Sequence, residues 1–171
     1  MKKLVQLCLV VLASIFVLAA CTEEKATETP KQKGVFQYHT TVIGNNSDVT
    51  AIVNELPLHE FVDTLALQTK NEPYELTINF KNEDIGLTAE ERDNQVVANA
   101  AYMFSLIENV EYIHFVFEDR TYDITKRGMQ NWLGILFPMI KSEEYLLEVK
   151  EGMVDNPAEI KAFLDVYNNV N

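Results

Sequence analysis

Glycine is scarce in this sequence, with six residues in 171. Loops that cradle phosphates or dinucleotides need several glycines at fixed spacing so that the backbone can approach the ligand, and neither the Walker pattern nor Gly-x-Gly-x-x-Gly occurs. Serine is nearly as rare beyond the first 20 residues, at Ser47, Ser105 and Ser142 only, and no Gly-x-Ser-x-Gly elbow surrounds any of them. Nucleotide binding and serine-hydrolase chemistry are therefore set aside. The three histidines, His39, His59 and His114, fall in a predicted strand, a loop and a strand. They lack the i, i+4 helical spacing of a zinc-protease site, and no metal or other cofactor is expected. Positive charge is the last shortage: 14 Lys and Arg stand against 26 Asp and Glu, a net charge of −12. A chain of that sign repels nucleic acid, and its acidity also keeps an exported protein soluble.

Cysteine is rarer still, at Cys8 and Cys21, and the start of the chain accounts for both. Met1-Lys2-Lys3 is a short cationic segment, and Leu4 to Ala20 is an apolar run whose polar interruptions are Gln6 and Ser14. This is the layout of a secretory signal. The residues that close it, Leu18-Ala19-Ala20-Cys21, resemble the bacterial lipobox. That resemblance implies cleavage before Cys21 and transfer of a diacylglyceryl group to its sulfur, with acyl chains of the palmitate kind holding the protein on the membrane. An uncleaved anchor is the competing reading, since about 17 apolar residues just suffice to span a bilayer. In either case the domain is tethered at the cell membrane on its extracytoplasmic face. With Cys8 lost in the signal and Cys21 acylated, the folded part holds no thiol, which excludes disulfides, cysteine nucleophiles and thiolate metal sites. Removing residues 1–20 takes away Lys2 and Lys3 and no acid, which carries the net charge from −12 to −14.

Residues 21–33 continue as "CTEEKATETPKQK", without an apolar side chain larger than alanine after the cysteine. Such a segment cannot bury a core and reads as a disordered tether, able to hold a folded domain on the order of 20 Å from the membrane. Residues 34–171 have the size and apolar content of one domain.

Within that domain "GVFQYHTTV" alternates like a strand, and Asn46 or Ser47 can cap a helix carrying Val49, Ile52, Val53 and Leu56 on one face. Pro57 ends the helix. "EFVDTLALQTK" and "PYELTINFK" read as paired strands, with Leu65 and Leu67 facing the same way as Leu76, Ile78 and Phe80. The helix to cover them is "TAEERDNQVVANAAYMFSLIEN", where Thr88 and Glu91 form a capping box. "VEYIHFVFEDRTYDIT" is a hairpin turning near Asp119-Arg120, with Ile113, Phe115 and Phe117 alternating against Tyr112, His114 and Val116. Thr125 can cap "KRGMQNWLGILF", Ser142 can cap "EEYLLEVKEGM", and Asn156-Pro157 opens "AEIKAFLDVYNN". The expected class is α+β: a mainly antiparallel sheet of about four to five strands, helices packed on one face, and a helical C-terminus.

Chemistry is sparse. Carboxylate pairs such as Glu83-Asp84, Glu90-Glu91, Glu118-Asp119 and Glu143-Glu144 read as solvated surface, because adjacency in sequence does not hold two carboxyl groups across a cleft. "KNEDIG" lacks the spacing of a calcium loop. No catalytic residue is assigned. Among the aromatics, Tyr122 and Trp132 flank a capped helix start and are the candidates to line a groove for a peptide, a glycan or another protein.

The stretches "YHTTVIGNNSDVTAIVNELP", "LALQTKNEPYELTINF" and "NAAYMFSLIENVEYIHFVF", with their turn at Gly44, Asn46, Ser47 and Val49, resemble a bacterial family called domain of unknown function 4825. The likeness spans most of residues 35–134, with Val42 and Asn45 standing where that family usually has an aromatic and an aspartate. Members look like exported lipoproteins, or like extracytoplasmic domains attached to membrane metallopeptidases of the beta-lactam-sensor type. The resemblance implies a sensory or interaction module and brings no catalytic residues. The expected function is thus a membrane-anchored, non-enzymatic binding module. An envelope hydrolase using carboxylates or histidines and a purely structural envelope lipoprotein are the alternatives.

Overall fold

The structure, a computed structural model, describes residues 34–81, 85–154 and 156–167, the side chains of 153 and 154 excepted. The chain divides into two units between Lys31 and Gln32, and every described residue belongs to the second. The expected signal and tether, with Cys21, lie outside the described residues, as do Glu83 and Asp84.

The domain begins with a correction. The segment expected as a strand is a 3-10 turn, Val35–Tyr38. Strand residues alternate between faces, whereas Val35 and Phe36, neighbours in sequence, are both buried. Gly34, at φ 77°, turns the chain inward, and Thr40, at φ 69°, turns it again, which no strand tolerates. Helix α1, Asn46–Glu55, comes next. Its cap is Asn45, one residue earlier than expected: Asn45 Oδ1 accepts the Asp48 amide at 3.3 Å. The Asp48 carboxylate in turn accepts from the Asn45 amide (2.7 Å) and the Thr41 hydroxyl (2.8 Å). This closed set displaces Ser47 into the first turn, and Val49, Ile52 and Val53 are buried as the spacing requires.

Four strands form one mixed sheet in the order β1 (Val62–Gln68), β2 (Glu75–Phe80), β3 (Tyr112–Val116) and β4 (Thr121–Thr125). The outer pairs are antiparallel and the central pair, β2 with β3, is parallel. A parallel pair needs a long crossover, here α2 (Ala89–Leu106), so the topology is hairpin, helix, hairpin. Register aligns Leu65, Ile78, Phe115 and Tyr122 in one row and Leu67, Leu76, Ile113 and Ile124 in the next, all on the face toward α2. The opposite face carries Glu75, Thr77, Tyr112, His114 and Asp123, none of them buried.

Helix α2 starts with the predicted capping box. The Thr88 hydroxyl accepts the Glu91 amide and the Glu91 carboxylate accepts the Thr88 amide. The Thr88 amide, and then the Thr88 hydroxyl, which donates to the same carboxylate oxygen at 2.8 Å, hold the Glu91 carboxyl below the usual carboxylate range. From Val96 to Leu106 every residue is buried, so α2 is surrounded rather than one-sided. Its second cover comes from α4 (Glu143–Val154) and α5 (Pro157–Tyr167), which pack on it through Leu146, Ile160, Phe163 and Leu164. The described domain is layered as sheet, α2 and outer helices.

Thr125 ends β4 and also caps α3 (Lys126–Leu133), accepting the Gly128 amide at 3.0 Å. Gly134, at φ 68°, stops α3 before the predicted "ILF", because left-handed backbone ends a helix and favours glycine. Ser142 caps α4 through the Tyr145 amide (3.3 Å), and Asn156 caps α5, which opens on Pro157.

Candidate functional site

Of the two aromatics expected to share a groove, Tyr122 has no exposed surface. It belongs to the core row of β4, and its hydroxyl donates to Asp93 Oδ1 (2.6 Å) and accepts from Arg92 Nε (3.2 Å). Arg92 also grips Asp119 through two bonds of 2.8 Å, and Arg120 reaches Asp93 at 3.0 Å while lying over the Tyr122 ring. This network ties the tip of the second hairpin to the first turns of α2. Burial, and then the bond and charge of Asp93, push the Tyr122 phenol up to about 12. Tyr122 therefore fastens the fold and cannot line a groove. Trp132 is half-buried on α3, stacks on Phe163 at 4.7 Å, and does line an open pocket. The two residues are not brought together on one surface.

The histidines separate as well. His39 is bonded to the Ile140 carbonyl (2.9 Å) and His59 to the Leu56 carbonyl (3.0 Å). On the open sheet face His114 stands between Asp123, 2.6 Å from Nδ1, and Glu75, 3.4 Å from Nε2. A metal takes one ring nitrogen, and these carboxylates address opposite ones. No group of three His, Cys, Asp or Glu among the described residues could hold a metal ion.

The polar groups that do converge were missed in the sequence. A cleft of about 220 Å³ opens between the start of the domain, α1, α2 and α4. Its floor is Tyr102 and Asn99 of α2, 7% and 4% exposed. Asn99 donates its side-chain amide to the Pro57 carbonyl at 2.8 Å. Around them stand Glu55 at the end of α1, Glu143 at the start of α4 and Lys150 about two turns further along α4. The Lys150 ammonium lies 5.7 Å from the Tyr102 ring centre, and no ion pair joins it to Glu55 or Glu143 among the described residues. Burial, and then the Glu143 charge, raise the Tyr102 phenol above its ordinary value. Gly34 completes the wall, since a Cβ there would sit 3.1 Å from Glu143 Oε1. Asn99, a polar residue inside the apolar run "QVVANAAYMF", was the one signal in the sequence that pointed here.

A buried lysine was also missed. Lys126, 8% exposed, donates to the Glu108 carbonyl at 2.6 Å and the Ile107 carbonyl at 3.4 Å. It satisfies carbonyls at the end of α2, where a cation is favoured by the helix dipole. Burial lowers its pKa, against the charges of Glu111 and Glu108, which raise it.

The family model described as Domain of unknown function (DUF4825) matches residues 35–127. The chain belongs to the DUF4825 family. No curated protein and no solved structure matches it. The DUF4825 segment supplies α1, the whole sheet and α2, hence Glu55, Asn99 and Tyr102 of the cleft. Glu143 and Lys150 come from the helices beyond it.

Proposed function

We propose that this DUF4825 chain is a lipid-anchored extracytoplasmic lipoprotein whose domain is a non-enzymatic binding or sensory module. The observation that carries the binding role is the Tyr102 cleft. Opposite charges sharing a concave site gain by pairing, yet Lys150 rests on the Tyr102 ring while Glu55 and Glu143 remain without an ion-pair partner among the described residues. A ligand bearing both a cationic and an anionic group, as a peptide or an envelope fragment does, would satisfy all three while its body covers the phenol and the Asn99 amide. The anchor rests on the order Leu18-Ala19-Ala20-Cys21 behind a cationic and apolar run.

Each half has its own test. Mass spectrometry of the mature terminus should find acylated Cys21, and Cys21→Ser should give an unacylated chain that keeps residues 1–20; a free, unmodified Cys21 sinks the lipoprotein reading. For the cleft, chemical-shift or thermal-shift screening against peptides and glycan fragments should find a ligand lost in both Glu143→Gln and Lys150→Met. A ligand set indifferent to both variants removes the cleft from the binding role.

One observation favours a hydrolytic reading: Glu55 and Glu143 are two carboxylates lining one concave cleft, the arrangement that acid and base catalysis needs. Turnover of an envelope peptide or glycan by the wild type, abolished by Glu143→Gln with binding retained, would replace the binding reading with that one.

A further inference from the structure

A second pocket, of about 250 Å³, lies wholly beyond the DUF4825 match, between α3 and its following loop on one side and α4 and the start of α5 on the other. Trp132, Leu133, Ile135 and Val149 make its apolar walls, and Glu148 and Glu159 stand exposed around them. Among the described residues no lysine or arginine lines it, and neither carboxylate has an ion-pair partner. The Trp132 ring is fixed from behind by its stack on Phe163, so the pocket does not depend on a mobile side chain.

Gly152 points to the same place. It lies inside α4, where glycine costs up to about 1 kcal/mol against alanine, and a Cβ there would meet nothing within 4 Å. Packing therefore does not demand glycine at this position. Gly152 lines the pocket, and a larger residue there would add bulk to a wall that glycine leaves bare.

The pocket has room for one long side chain. Apolar walls under two carboxylates match a side chain with an aliphatic stem and a cationic head, whose stem stays in contact with apolar surface while the head stays wet. Trp132 adds an aromatic surface that attracts cations. We propose that the Trp132 pocket docks a lysine or arginine side chain presented by a partner protein. This site is separate from the Tyr102 cleft, so either can fail without the other.

The chain contains a single tryptophan, so its emission reports on this pocket alone. The full-length protein in a non-ionic detergent is titrated with n-butylammonium, which is the lysine side chain itself, and with its neutral and anionic counterparts, n-butanol and butyrate. A blocked tripeptide with a central lysine and its glutamine analogue repeat the comparison in peptide form. The expected result is a saturable change in Trp132 emission. Half-saturation by butylammonium should come at a concentration at least about fivefold lower than by butanol, the size of preference that exposed carboxylates supply, with no saturable response to butyrate. Glu148→Gln combined with Glu159→Gln should erase the preference for the cation, and Gly152→Leu should abolish the response by filling the pocket. Equal response to butylammonium and butanol, no saturable response to either, or a charge-selective response untouched by Gly152→Leu would each overturn the proposal. So would a lysine tripeptide that binds no better than its glutamine analogue.

Discussion

Replacing Tyr122 with phenylalanine removes one oxygen from the core and leaves the ring in place, and the consequences follow from two hydrogen bonds. The hydroxyl donates to Asp93 at 2.6 Å and accepts from Arg92 at 3.2 Å, with no exposed surface on the residue. Hydrogen bonds to charged groups contribute about 1.5–3 kcal/mol each. Asp93 retains its bond from Arg120, so a net loss of about 2 kcal/mol at neutral pH is expected for Tyr122→Phe. The pH dependence is the sharper part. Burial and Asp93 raise the phenol from 10.0 to about 12 in the folded state. Below pH 10 both states hold the proton and the full contribution is present. Between pH 10 and about 12 the unfolded chain releases the proton while the folded chain keeps it, so stability falls as pH rises, by roughly 2–3 kcal/mol in all. The phenylalanine variant has no such proton. Urea unfolding of both proteins from about pH 8 to about pH 12 therefore gives a difference that starts near its neutral value and shrinks toward zero, with other titrating groups cancelling. A difference that stays flat over that range, or a variant that costs less than about 0.5 kcal/mol at neutral pH, refutes the reasoning.

Three further outcomes rest on local geometry. Thr88→Ala removes the hydroxyl that accepts the Glu91 amide and should cost about 1 kcal/mol in urea unfolding, with the loss confined to the start of α2 in hydrogen exchange. Gly128→Ala places a Cβ 2.8 Å from Thr125 Oγ1 and 2.9 Å from the Tyr167 ring; the overpacking should cost about 1–3 kcal/mol, and a neutral result would mean that α5 yields freely at its end. Lys126→Met keeps the aliphatic stem but leaves the Glu108 and Ile107 carbonyls without their donor, for a loss of about 1–3 kcal/mol seen in thermal or urea unfolding.

How far the sequence reached depends on the range of the interactions involved. The Thr88–Glu91 capping box, the Thr125 cap, the Pro157 start and the alternation of Ile113, Phe115 and Phe117 are set by neighbours within a few residues, and all stand in the structure as the sequence implied. The register of β1 on β2 followed from the same rule, since a slip of one residue would expose Leu76, Ile78 and Phe80. The DUF4825 membership was legible for a related reason, the family match covering the sheet and its first two helices. The resemblance of Leu18-Ala19-Ala20-Cys21 to a lipobox rests on an equally local signal and lies outside the described residues.

What only the tertiary structure decided involves partners far apart in the chain. Val35 and Phe36 look like part of a strand until the chain turns at Gly34 and Thr40 to bury both. The parallel pairing of β2 with β3 depends on α2 crossing between them, and Val96 to Leu106 of α2 are buried all round only because α4 and α5 return to cover them. Tyr122 and Trp132, ten positions apart, end on opposite terms with solvent because one sits in the core row of β4 and the other on α3 beside Phe163. Glu55, Asn99, Tyr102, Glu143 and Lys150 meet in one cleft from three separate helices, a convergence that no spacing in the sequence encodes. Local chemistry wrote the elements; the packing of distant helices made the cleft and the pocket.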